Sequence, residues 1–211
     1  GSLAFSLLSS ETRSDTILSG LPATMPSITL SSVSYKYAAG SEYVFEGLNA
    51  FIPFGSFVVV KGPSGSGKST LVDLIVGLKT PSEGQVNFSE EPSGRKLEWQ
   101  DLNLGYVPQK PNLIEGTLLE NVSLDYVNEE ESRIKASNAL ETAQLGRWVR
   151  ELTFGLDTRF GMGSSNLSGG QLQRLGIARA LYDQPGILVL DEGTNSLDSS
   201  TELEIRNILA K

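Results

Sequence analysis

Phe57-Val58-Val59-Val60-Lys61-Gly62-Pro63-Ser64-Gly65-Ser66-Gly67-Lys68-Ser69-Thr70-Leu71 passes from an unbroken apolar, β-branched run into a glycine-rich loop and then into a helix. A run without polar alternation is the mark of a strand buried on both faces, as in a parallel sheet covered by helices. Beyond Thr70, the residues Leu71, Leu74, Ile75 and Leu78 fall at helical spacing, and Pro81 and Gly84 end the element. The loop between them, Gly62 to Ser69, matches G-x-x-x-x-G-K-[ST]. Glycines let successive backbone N–H groups turn inward around phosphate oxygens with no Cβ in the way. The helix start adds partial positive charge at the same place. In such a loop Lys68 reaches the β- and γ-phosphates and the Ser69 hydroxyl holds Mg²⁺. An ordinary Gly/Ser turn is the competing reading, and the strand before and helix after argue against it.

Upstream, residues 3–27 are rich in Ser and Thr, with Pro22 and Pro26 as breakers, and read as a lead-in outside the core. Gly1-Ser2 reads as a tag remnant. Regular structure is expected to begin near Ile28, where Ile28, Leu30, Val33, Tyr35 and Tyr37 mostly alternate with polar residues, and residues 51–54 suggest a further strand. Downstream, residues 104–107 read as a short strand. Residues 116–153, with Ile134, Leu140, Ala143 and Leu152, read as mostly helical, and another helix is expected over about 170–182. Ile187-Leu188-Val189-Leu190 repeats the buried parallel-strand pattern.

Two further motifs lie on these elements. Leu167-Ser168-Gly169-Gly170-Gln171 opens the helix at 170–182. Ser168 is a natural N-cap, and the N–H groups of Gly169 and Gly170 make a second anion-receptive helix start. By itself this is equally a Ser-capped helix. The strand at 187–190 delivers Asp191-Glu192 at its C-terminal end, where ligands of open α/β sheets sit. Asp191 can bind Mg²⁺ directly or through water, and Glu192 can accept the proton of an attacking water. Such a pair alone could equally cap the next helix.

Composition narrows the chemistry. The 211 residues suit one compact domain, with two small lobes also open, and 39% hydrophobic residues supply a core. Seventeen Lys plus Arg against 25 Asp plus Glu give a net charge of −8, which argues against binding a nucleic-acid backbone through overall charge. With no Cys there is no disulfide framework and no thiolate metal site, and with no His every imidazole scheme, including a Ser-His-Asp hydrolase, is excluded. No apolar run approaches the ~18–20 residues of a membrane span, and the start lacks the basic region of a signal peptide.

The order of Gly62 to Ser69, Gln109, Leu167 to Gln171, Asp191-Glu192 and Ser196-Leu197-Asp198 resembles the nucleotide-binding domain of ABC transporters over about residues 28–211. The resemblance implies an α/β fold: a P-loop NTPase (RecA-like) core with a parallel central sheet, an N-terminal antiparallel β-subdomain and an inserted α-helical subdomain at about 112–182. It implies that ATP and Mg²⁺ are held by Gly62, Pro63, Ser64, Gly65, Ser66, Gly67, Lys68, Ser69 and Thr70. Tyr37 would stack on adenine, the competing reading being an edge-strand aromatic packed on the sheet. Gln109 would sense the γ-phosphate and Mg²⁺, with Ser69 and Asp191 completing the metal set. Catalysis would rest on Glu192, Gln109 and Lys68.

In this family two chains pair head-to-tail, so Ser168, Gly169, Gly170 and Gln171 would face the partner's ATP and Asp198 would lie in the loop that meets the partner. ATP binding then closes the pair, Glu192-assisted hydrolysis releases it, and the movement drives a membrane domain. Residues 112–122 and Gly155-Leu156-Asp157-Thr158 resemble the exporter pattern. Residues 1–27 would be a tag remnant and a linker from an N-terminal membrane domain. The expected location is the cytoplasmic face of a membrane.

Departures from the pattern are equally specific. Met162 and Ser164 stand where the exporter loop carries an acid and a glycine, and Gly193 stands where Ala or Pro is usual. The family's switch histidine and last strands would lie beyond Lys211, so the chain is expected to be a C-terminally incomplete domain that binds nucleotide, turns it over poorly, and is a monomer or an edge-paired dimer. Two alternatives stand beside the transport motor. One is a non-catalytic nucleotide-binding fragment. The other is an ABC ATPase that works without a membrane, which would carry coiled-coil insertions or tandem ATP domains.

Overall fold

The computed structural model describes residues 4–8, 25–38, 40–125, 129–161 and 167–191, in two units, Gly1–Asn103 and Leu104–Lys211. The fold is mixed α/β, with antiparallel strand pairs and one parallel pair among the described residues.

The first unit contains β1 (Ala4–Leu8), β2 (Pro26–Tyr35), β3 (Phe45–Ile52), β4 (Phe57–Lys61), α1 (Lys68–Ile75), β5 (Glu83–Glu90) and β6 (Arg95–Leu97). Four of these form an antiparallel sheet in the order β3-β2-β5-β6. The period-2 alternation from Ile28 holds to Leu30, with Ile28 opposite Phe88 and Leu30 opposite Val86. A register shift before Val33 then moves burial to the odd position, so that Ile28, Leu30, Val33, Phe88 and Leu97 are all buried. Each fully buried side chain of this size contributes about 1.5–3 kcal/mol of transfer free energy. Trp99 packs edge-on against Phe88 with ring centroids 4.5 Å apart.

α1 begins directly at the glycine loop and buries Thr70, Leu71, Leu74 and Ile75. It ends at Ile75, so Leu78 lies past the helix and is 76% exposed, against its assignment to the apolar face. The physical reason is the turn at Gly77, whose φ is +74°.

Two strand expectations are corrected. Ala4–Leu8 is a strand, although regular structure is expected only from Ile28. It pairs antiparallel with β4, in register from Ala4 opposite Lys61 to Leu8 opposite Phe57. β4 is therefore half-buried and antiparallel-paired among the described residues, not a parallel strand covered on both faces. Hydrophobic run length reports that a strand wants burial, but an edge of unpaired N–H and C=O groups accepts whichever segment reaches it. The strand expected at 51–54 is also longer upstream, running from Phe45 and stopping at Ile52.

The second unit contains β7 (Leu104–Val107), β8 (Gly116–Thr117), α2 (Leu118–Ser123), α3 (Glu130–Thr142), α4 (Gly146–Glu151), β9 (Arg159–Phe160), α5 (Gly169–Leu181) and β10 (Ile187–Leu190). β7 and β10 are parallel neighbours, with Ile187 opposite Leu104 and Leu190 opposite Val107. Their pairing bears out the parallel character read from 187–190. Among the described residues, the stretch expected to be mostly helical holds three helices preceded by a two-residue strand. α2 starts with a capping box: the Thr117 Oγ1 accepts from Glu120 N at 3.1 Å, and Glu120 Oε2 accepts from Thr117 N at 2.6 Å.

Its core joins Val107 of β7 to Leu118, Leu119 and Val122 of α2, Ala136, Ala139 and Leu140 of α3, and Leu175, Ile177 and Ala178 of α5. Ala136 and Ala139 of α3, with Ala143 at its C-cap, make a narrow stripe that is closed to solvent. Ile134 is off that stripe and 53% exposed, so it is not part of the helix's packed face.

Candidate functional site

The phosphate loop sits between β4 and α1, as the strand–loop–helix pattern requires. Gly65 and Gly67 hold φ of +77° and +92°, and Gly67 is the residue from which α1 starts. No side chain caps that helix start, so its first N–H groups are left to a ligand or water. Lys68 Nζ donates to the carbonyls of Gly62 and Pro63 at 2.8 and 2.9 Å, folding the ammonium over its own loop. Ser66 Oγ is buried and has no hydrogen-bond partner among the described residues. An unsatisfied buried hydroxyl is costly, and here it lies in a loop lined with donors.

Tyr37 is 67% exposed, and its Oη lies 2.9 Å from Thr70 Oγ1 on α1. Tyr35 meets its ring edge-on at 5.3 Å. Lys79 Nζ is 5.9 Å from the Tyr37 ring centroid and pairs with Asp73, whose carboxylate raises the Lys79 pKa above the usual lysine value. The aromatic ring is thus tied to the phosphate helix yet open to solvent.

In the second unit, Ser168 caps α5 through a capping box: Gln171 N donates to Ser168 Oγ at 3.2 Å, and Ser168 N donates to Gln171 Oε1 at 2.9 Å. Ser168, Gly169 and Gly170 are exposed, with open space beside both glycines. Gln109, Pro111 and Asn112 form one side of an open cleft of about 370 Å³ whose other side is Gly169, Leu172 and Gln173. Gln109 and the start of α5 are therefore brought together.

At the end of β10, Asp191 N donates to Val107 O at 2.9 Å and extends the parallel ladder by one residue. Its carboxylate Oδ2 accepts the Tyr106 hydroxyl at 2.8 Å. Glu192 and Asp198 lie outside the described residues, as do Ser196, Leu197, Met162, Ser164, Gly193 and residues 9–24 of the lead-in.

Residues 45–195, more than half of the chain, match the ABC transporter family. This chain belongs to that family. It is 38% identical over 185 residues to ABC transporter B family member 29, chloroplastic, of Arabidopsis thaliana, covering 87% of this chain and 29% of that protein. It is 37% identical over 182 residues to an ATP-dependent lipid A-core flippase of Cupriavidus pinatubonensis, covering 84% and 30% respectively. Among solved structures, a bacterial Atm1-family ABC exporter with ATP bound matches with a TM-score of 0.66 and 29% identity, over 92% of this chain and 34% of that one. The chain thus spans about a third or less of each of these ABC relatives. The exporter pattern read at residues 112–122 and 155–158 agrees with the kind of ABC protein these relatives are. Among the described residues no helix is long and apolar enough to cross a membrane.

The glycine-rich loop has no room for a side chain at Gly67. A Cβ built on Gly67 would sit 2.5 Å from Val44 Cγ1, at a φ that L-residues rarely adopt. Gly67→Ala is therefore expected to destabilise the chain by about 1–2 kcal/mol in urea denaturation and to weaken nucleotide binding at least tenfold. A variant with parental affinity and midpoint would show that Val44 and the loop yield freely.

Sequence reasoning missed one polar network in this unit. Arg179 of α5 donates through Nε to Asn121 O, through Nη1 to Asn112 O, and through Nη2 to Asn121 Oδ1 at 2.8 Å. Burial lowers the pKa of this guanidinium from the ordinary arginine value. Arg179 thus ties the helix opened by Leu167 to Gln171 to the segment that follows Gln109. The only sequence signal was an amide at Asn121 inside the apolar series Leu118, Leu119, Val122.

Proposed function

We propose that this chain is the ATP-binding and ATP-hydrolysing motor unit of an ABC exporter. The observation that carries the reading is the phosphate loop itself, with Lys68 donating to the carbonyls of Gly62 and Pro63 beside an uncapped helix start. The ring of Tyr37, exposed beside Thr70, supports an adenine platform next to that loop.

In this reading the backbone N–H groups at 62–69 and the Lys68 ammonium hold the β- and γ-phosphates, and Lys68 exchanges its loop carbonyls for phosphate oxygens. Ser69, Gln109 and Asp191 hold Mg²⁺, which neutralises charge on the phosphate oxygens when bound. Gln109 and Glu192 orient the attacking water. Glu192 takes its proton as the water oxygen bonds to the γ-phosphorus and the bond to the β-phosphate oxygen breaks, leaving ADP and phosphate. The exposed, capped start of α5, with Ser168, Gly169, Gly170 and Gln171, suits contact with the γ-phosphate held by a second ATP-binding domain, where Asp198 also meets the partner. The paired domains act on a transmembrane domain from the cytoplasmic face of a membrane.

Mg-ATP at a hundred times Kd is expected to stabilise the chain by about 2.7 kcal/mol. Lys68→Ala should lose most of that gain. The check is thermal unfolding of both proteins with and without millimolar Mg-ATP. An unshifted parental midpoint, or equal shifts in the two proteins, would remove ATP binding from this loop.

A further inference from the structure

The parallel register of β7 and β10 places Val189 opposite Tyr106. Side chains two residues apart on a strand share a face, so Asp191 lies on the same face as Val189 and hence as Tyr106. Gly105 and Val107, the neighbours of Tyr106 on β7, are buried, whereas Tyr106 is 42% exposed. A tyrosine side chain is about as long as the two-residue rise of roughly 6.6 Å separating the two positions along the ladder. The phenol consequently meets Asp191 Oδ2 at 2.8 Å.

A carboxylate has two oxygens and about four acceptor sites. Among the described residues the Tyr106 hydroxyl is the side-chain donor to Asp191, and it occupies Oδ2 alone. Oδ1 is left for a cation or its water. The main chain of Asp191 is held by Val107 O. A strand-end residue pinned at its backbone and at one carboxylate oxygen has its remaining oxygen fixed in direction.

We propose that Tyr106 is a positioning residue for the metal-holding carboxylate of Asp191, setting the rotamer in which Oδ1 meets Mg²⁺. The inference rests on the reading of Asp191 as a Mg²⁺ residue of a nucleotide site. Partners that orient a metal-holding side chain typically change metal affinity 10–100-fold when removed. Tyr106 is not among the residues assigned to the nucleotide, and its hydroxyl reaches Asp191.

The test measures binding of a fluorescent ATP analogue to the 211-residue chain with saturating Mg²⁺ and with excess EDTA, together with the half-saturating Mg²⁺ concentration. Tyr106→Phe keeps the half-exposed ring and removes the hydroxyl. It is expected to bind the analogue normally in EDTA, to lose about tenfold of the affinity that Mg²⁺ adds, and to need about tenfold more Mg²⁺. Tyr106→Val should do the same. A general loss of packing would instead weaken binding equally in EDTA and in Mg²⁺, and that result overturns the proposal. So does a Phe variant that behaves like the parent while Val does not, since the effect then belongs to the ring. A Phe variant with tighter Mg²⁺ binding would show that the phenol competes with the metal, which also overturns it. Asp191→Asn separates the two levels. If it abolishes the Mg²⁺ effect while Tyr106→Phe leaves it whole, only the positioning role fails. If Asp191→Asn retains the full Mg²⁺ effect, the metal assignment of Asp191 fails and the role of Tyr106 falls with it.

Discussion

In a C-terminally extended version of the chain, Glu192→Gln is expected to leave ATP binding intact and to lower phosphate release by roughly 10²–10⁴-fold, the usual worth of a positioned general base. The amide keeps the shape and hydrogen-bonding reach of the carboxylate but cannot take a proton from water. Asp191 and Glu192 are consecutive in the sequence directly after β10, and the proposed function gives them separate roles, one for metal and one for water. Nucleotide binding and phosphate release measured in parallel decide the matter. Near-parental turnover in Glu192→Gln would assign the water to another residue. Loss of binding together with turnover would make Glu192 a binding residue instead.

Asn121→Ala is expected to lower folding stability by about 3 kcal/mol, because it strips partners from several buried polar groups at once. Asn121 is fully buried. Its Nδ2 donates to Ile114 O and Thr117 O, both at 3.0 Å, and its Oδ1 accepts from Ile114 N at 3.0 Å and from Arg179 Nη2 at 2.8 Å. Every side-chain hydrogen-bonding position of the amide is thereby used. Truncation also removes an acceptor from the half-buried Arg179, whose desolvated charge tolerates little loss of compensation. Urea denaturation of the parent and variant gives the difference directly. A loss below about 1 kcal/mol would mean that water replaces the amide. Because Arg179 also holds Asn112, the same substitution is expected to loosen the segment after Gln109 relative to α5.

The amino-acid sequence by itself determined the features whose physics is local. The glycine loop between an apolar run and a helical spacing fixed where β4 ends and α1 begins. Ser168 with Gln171 is a reciprocal cap written in four consecutive residues, and the structure forms it. Thr117 with Glu120 is a second such cap, legible by the same rule although it was absorbed into a longer helical stretch. The run at 187–190 announced a parallel strand, and β10 does pair parallel with β7, although its residues are half-buried and not buried as the run implied.

What only the tertiary structure decided is the choice of partners between distant segments. The same apolar signal at 57–60 led to an antiparallel pairing with Ala4–Leu8, since periodicity describes a strand's faces and says nothing of which edge it offers to which neighbour. Tyr106 and Asp191 are 85 positions apart, and Arg179 and Asn121 are 58 apart. Their contacts exist because a register and a helix crossing place them together. A strand's alternation fixes which residues share a face, but the register is settled by the summed burial of both strands and the helices over them. The glycine-rich loop was therefore readable from its own residues, whereas the contacts of Tyr106 with Asp191 and of Arg179 with Asn112 and Asn121 became visible only once the chain was packed.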